Sequence, residues 1–154
     1  MDHRQSRALL PDVTPKEWQD HIDIVEESYE YFFAYAAQGI DRNSGISGEL
    51  REYLSRTREA LGALEEGLGE MVEGLDSGSA FGPMNEVMKR DARDAKAMVS
   101  LVMAQTGVSS QLMDNFNIST RWRALLTDLF VIDEALKSTL GEAYPYPQEE
   151  KELN

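Results

Sequence analysis

Apolar residues recur along this chain at alternating spacings of three and four, the period of a helix that buries one face. The first run has a clear start. Thr14, Pro15 and Glu17 occupy the cap, the first helical position and the third position of a capping box. Trp18, Ile22, Val25, Tyr29, Phe32, Ala36 and Ile40 then mark one seam, and "QGIDRNSGISG" closes it. A second run, from about Leu50 to Leu75, carries Leu50, Leu54, Thr57, Leu61, Leu64, Leu68, Met71 and Leu75. Gly62, Gly67, Gly69 and Gly74 interrupt its second half. Bending or fraying is expected there, since a glycine costs about 1 kcal/mol in a helix interior.

"DSGSAFGP" reads as a turn, with Pro83 opening a third helix through Met84, Met88, Ala95, Met98 and Val102 to about Thr106. Gly107 is its C-cap signal. "SSQLMDNFN" reads as a short connecting helix, after which Ser119 or Thr120 caps a fourth long helix that ends near Leu140. No segment alternates with the period of a strand. The pattern predicts an all-α fold: an antiparallel up-down-up-down four-helix bundle over 14–141, with the short extra helix between its third and fourth members. A flexible segment, 1–13, is expected before it and an acidic, proline-containing tail, 142–154, after it.

Charge narrows the function classes. The formal net charge is -13, which argues against nucleic acid, because phosphate binding needs clustered Lys and Arg. It suits solubility and basic partners. The dense basic run in "GPMNEVMKRDARDAK" falls on the outer face of its helix, as Lys89, Arg90, Arg93 and Lys96 lie about 120–180° from Met84. No secretory signal is evident, and the longest uncharged run, 97–113, contains Gln, Thr, Gly and Ser, so no membrane span and a cytoplasmic location are expected. The absence of cysteine excludes disulfides, thiolate chemistry and cysteine zinc sites.

Two acids break the apolar stripes. Asp91 lies about 20° from Met84 in the third helix, and Asp133 about 20° from Trp122 in the fourth. Each is about seven residues from a helix end, roughly 10 Å along its axis, so the two are level in an up-down bundle. His21 and Glu65 lie at stripe edges at the matching height. Ionised carboxylates do not stay unpaired in a core. His21, Glu65, Asp91 and Asp133 therefore form a candidate carboxylate–histidine metal site, with a structural buried pair as its competitor. With only two histidines, the paired Glu-x-x-His motifs of a ferritin-like di-iron centre cannot be built. The acidic spacing of "EMVE" (Glu70, Glu73) and "DARD" (Asp91, Asp94) resembles that of MazG-like, all-α nucleotide pyrophosphohydrolases. That resemblance covers four acidic residues, and Glu70 and Glu73 fall on the outer side of their helix.

The first helix is apolar beyond its seam. Tyr29, Phe32 and Phe33 face one way, while Tyr31 and Tyr35 lie about 100–140° from the stripe centre. Such a helix is either central or part of an interface, and tyrosine favours interfaces. The expectation is a non-catalytic acidic bundle of regulatory or adaptor type, acting through a protein partner or as a homodimer, with Tyr29, Tyr31, Phe32, Phe33 and Tyr35 in the contact. The alternative is a metal-binding, hydrolytic bundle. No cofactor is called for, and a divalent metal is the one left open.

Overall fold

Local signals start each helix where a side chain takes up the free amides of the first turn. In α1, Pro15–Ala36, Thr14 accepts from the Glu17 amide at 3.1 Å and Glu17 accepts from the Thr14 amide at 3.0 Å, the full capping box. Ser47 caps α2, Gly48–Glu65, and Ser109 caps α4, Ser110–Asn117. Ser119 caps α5, Thr120–Leu140, accepting from the Trp122 amide at 3.2 Å. The remaining long helix is α3, Gly78–Met103, and short 3-10 turns lie at Arg42–Ser44 and Gly69–Met71. The structure, a computed structural model, describes residues 13–72, 78–141 and 144, and for residues 70, 78 and 79 the backbone alone. The expected end segments 1–13 and 142–154 fall almost wholly outside the described residues, as do Glu73 and Leu75. Among the described residues the protein is all-helical, and no helix is long and apolar enough to cross a membrane.

Packing follows chain order with one exception. α1 lies on α2, α2 on α3 and α3 on α5, whereas α1 meets α4 more extensively than α5. The shared core holds Trp18, Val25, Phe32, Leu54, Leu61, Met88, Trp122 and Leu129, all buried. A fully buried side chain of this kind contributes about 1.5–3 kcal/mol. α4 is more than a connector. Its Phe116 stands edge-on to Phe32, centroids 5.7 Å apart, and 5.0 Å from the Trp122 ring. Buried Asn117 donates to the Tyr29 carbonyl at 3.2 Å and accepts from the Trp122 indole N–H at 3.0 Å, tying α1, α4 and α5 together.

Two boundaries differ from the sequence expectation. α2 stops at Glu65, ten residues short of the expected end. Gly67 there takes φ +95°, a conformation that a side chain resists, and the Leu68 amide bonds the Asn85 side chain of α3 at 3.0 Å. Of the four glycines flagged for bending or fraying, Gly67 and Gly69 thus lie just past the helix end, Gly62 lies within α2, and Gly74 falls outside the described residues. α3 starts at Gly78, so Pro83 lies inside it and does not open it. Gly107 also has another role, because α3 ends earlier, at Met103. A Cβ on Gly107 would meet the Arg42 carbonyl oxygen at 1.7 Å, so the 107–110 segment crosses the 42–45 turn only without a side chain. That crossing is held by Val108 to Gly45 and Ser110 to Ile40 backbone bonds of 3.1 and 2.9 Å.

Asn117→Ala removes both partners of one buried hub and leaves the Trp122 N–H unpaired. It is expected to lower stability by about 2 kcal/mol. Urea unfolding checks this, with exposed Asn115→Ala, expected to be near neutral, as the control.

Candidate functional site

The four residues expected to converge do not share partners. His21 lies on the α1–α2 side, beside a cavity of about 330 Å³ bounded by Glu17, Arg56, Glu59 and Glu66. Its Nδ1 is buried without a hydrogen-bond partner among the described residues. Burial lowers the imidazole pKa, opposed by the charges of Glu17, Asp20 and Glu59. Glu65 is bound by Lys96 at 2.6 Å across α2–α3. Asp133 faces α1, where the Trp18 indole N–H is 3.4 Å away. It also accepts from the Tyr144 hydroxyl and pairs with Lys137 at 3.5 Å. Burial, then the Asp133 hydrogen bond and charge, push the Tyr144 phenol well up. Among the described residues no three of His, Cys, Asp and Glu are grouped so as to hold a metal ion.

Asp91 has the partner that the sequence reading missed. It faces Asp128 across α3–α5, and Asp128 is only 6% exposed. Burial, then the Asp91 hydrogen bond and charge, push the Asp128 carboxyl up to about 8. Its Oδ2 is fully enclosed, with no donor among the described residues. A proton on Asp128, donated to Asp91, satisfies both acids at once. Phase explains the omission. Measured from the centre of the buried stripe (Leu125, Leu129, Ile132, Leu136), Asp128 and Asp133 lie about 70° to either side. An angle taken from Trp122, at the stripe's edge, favours Asp133. Height compounds the error, since α3 starts five residues earlier than Pro83 and moves the residue level with Asp91 from Asp133 to Asp128. Of the four acids whose spacing resembles a pyrophosphohydrolase, Asp91 and Asp94 lie on α3, with Asp94 held by Arg121 at 3.1 Å, and the Glu70 and Glu73 side chains fall outside what is described.

The aromatic set of α1 is largely covered within the chain. Phe32 is in the core, and Tyr35 is buried with its hydroxyl on the Val108 carbonyl at 2.6 Å. Tyr31 stacks on Tyr53 of α2, centroids 4.1 Å apart. The half-buried Tyr29 accepts at its hydroxyl from Arg123 of α5 at 3.1 Å. Phe33 alone stands out, 66% exposed. The helix is apolar on two sides because it is central, with α2 on one flank and α4 on the other.

Comparison with protein-family models, curated proteins and solved structures gives no match.

The exposed apolar residues offer another surface. Phe130 and Val131 of α5 are 46% and 53% exposed. Phe130 borders a groove of about 540 Å³ between α1 and α5, and Val131 one of about 340 Å³ between α3 and α5. They lie about 130° to either side of the buried stripe, each just beyond one of the two aspartates.

The acid pair has a signed pH dependence. Folding raises the proton affinity of Asp128, so between about pH 4 and about 8 the folded state holds a proton that the unfolded chain releases. Stability therefore falls as pH rises through that window, by at most about 1.4 kcal/mol per unit for one proton. Asp128→Asn keeps a donor for Asp91 and removes this proton. Urea midpoints from pH 5 to 8.5 are expected to fall less steeply in the variant than in the wild type, and the variant to be the more stable at pH 8.5.

Proposed function

We propose that this chain is a non-catalytic acidic helical bundle that acts by docking a protein partner, with α5 as the docking ridge. The observation that carries this reading is the pair Phe130 and Val131, half-exposed neighbours with a groove on each side. Isolated exposed apolar residues are ordinary, but adjacent ones beside concave surface suit an interface. The architecture behind the ridge we take to be an antiparallel four-helix bundle braced by α4. Supporting this, paired residues descend on one helix as they rise on the next: Ser28 with Thr57 and Tyr31 with Tyr53, then Asp91 with Asp128 and Asp94 with Arg121.

The partner is an unlike protein with a basic contact surface. Two copies carrying -13 each repel, and the α1 tyrosines that favoured a homodimer are engaged inside the chain. Polar commitments favour docking over metal-assisted hydrolysis: Glu65 is bound by Lys96, and Asp133 by Tyr144 and Lys137.

Two measurements test the reading. Sizing at micromolar concentration is expected to give a monomer, and a stable dimer would make the second copy the partner. Thermal melts with Mg²⁺, Mn²⁺ and Fe²⁺ are expected to leave wild type and Asp91→Ala unmoved relative to their own metal-free melts. A metal-induced rise of several degrees that Asp91→Ala loses would replace docking with the metal-binding reading.

A further inference from the structure

The docking reading leaves open which groove is used and what chemistry fills it. The α1–α5 groove differs from the α3–α5 one in having charge on one wall. Glu26, Glu27 and Glu30 line it from α1, and Leu126, Thr127 and Phe130 from α5. Glu26 and Glu30 are one turn apart and point the same way, as do Leu126 and Phe130 opposite them. A row of acids thus runs beside a row of apolar side chains, each repeating about every 6 Å.

Negative charge accumulates there. The Glu26 carboxyl is held above its ordinary range first by partial burial, then by the charges of Asp23, Glu30, Asp133 and Glu27. Among the described residues Glu27 has a cation near it, Arg56 at 3.8 Å, while no ion pair is made by Glu26 or Glu30. At one end Arg123 is occupied by the Tyr29 hydroxyl.

We infer that this groove receives a basic amphipathic helix of the partner protein, with Lys or Arg on Glu26 and Glu30 and an apolar side chain against Leu126 and Phe130. The inference rests on the docking reading above. Two rows with a one-turn repeat match the period of a helix laid along the groove, in which basic and apolar residues each recur at three and four. A polyamine would answer the carboxylates and leave Phe130 uncovered. A second copy of this chain would bring more negative charge.

The probe is a synthetic, fluorescein-labelled helical peptide with a Leu stripe flanked by Lys, titrated into the full chain by anisotropy. Binding is expected to weaken with salt, to fall about three- to tenfold in Glu26→Gln/Glu30→Gln, and to fall about fivefold or more in Phe130→Ser. All three positions are exposed, so the variants are expected to keep the wild-type circular dichroism. Equal binding of a scrambled peptide, full displacement by spermine, or unchanged affinity in both variants overturns the inference. A photo-crosslinker placed at Thr127 of this groove or at exposed Thr139 of the α3–α5 groove, in the cells that make the protein, separates the two readings. Capture at Thr127 of a segment that maps as basic and amphipathic supports the groove. Capture at Thr139 alone overturns the groove and leaves docking on α5 standing, and capture at neither overturns both.

Discussion

A polar residue at the edge of a helix's buried stripe meets only the neighbour on that side, and this constraint orders the interior of the protein. With α1 on α2, α2 on α3 and α3 on α5, an edge side chain must find its partner across one seam. Each seam accordingly has its own polar solution. Ser28 and Thr57 put their hydroxyls 2.6 Å apart between α1 and α2. Lys96 reaches Glu65 between α2 and α3. Asp128, its pKa raised by burial and by Asp91, faces Asp91 between α3 and α5, and Asp133 meets Trp18 between α5 and α1. These polar groups stand at separate seams, and apolar side chains fill the core between the helices. Among the described residues no three of His, Cys, Asp and Glu come together there to hold a cation.

α4 solves a different problem. An aromatic helix such as α1 has more apolar surface than two flanking helices cover. The eight residues of α4 lie over that surface with Phe116 and Asn117, and the 107–110 segment closes the end through Val108 and Ser110. Ser110 bonds both the Tyr35 carbonyl and the Ile40 amide, at 2.7 and 2.8 Å, so the groups freed where α1 ends are satisfied by the chain that covers it. The tight crossing at Gly107 is a condition of this arrangement, since a side chain there would hold the covering segment away from the Arg42 turn.

Much of this was legible in the chain. Capping at Thr14 and Ser119 is decided by side chains within three residues of the helix start, so local sequence suffices. The seams through Leu54, Leu61 and Leu64 and through Leu125, Leu129 and Ile132 were equally readable, because burial of a stripe fixes its period. The early start of α3 was not. Glycine, serine and proline around Pro83 signal a turn locally, and the helix forms there because Phe81 and Met84 pack toward Ile132 and Ala135 of α5. Tertiary burial overrode propensity, and the five-residue shift carried the partner of Asp91 from Asp133 to Asp128. Nor does an angular reading reveal which edge of a stripe faces which neighbour, so Tyr31 and Tyr35 looked external although α2 and the 107–110 segment cover them.

The same edge geometry ties the buried acids to the outer ridge. On α5 the order around the axis runs Phe130, Asp133, the buried stripe, Asp128, Val131. Around the axis each exposed apolar residue thus has one aspartate between it and the buried stripe, although neither aspartate lines a groove. At the α1 margin Asp133 adds its charge to the field at Glu26, whereas at the α3 margin Asp128 carries a proton and adds none. One helix thereby presents two unlike grooves, one acidic and one apolar, although its two aspartates stand at mirror-related positions. The difference comes from the facing helices: α1 brings Glu26, Glu27 and Glu30 to one groove, and α3 brings Ala80, Phe81 and Met84 to the other. What sets the chemistry of each groove is thus the side chains that the neighbouring helix brings to its wall.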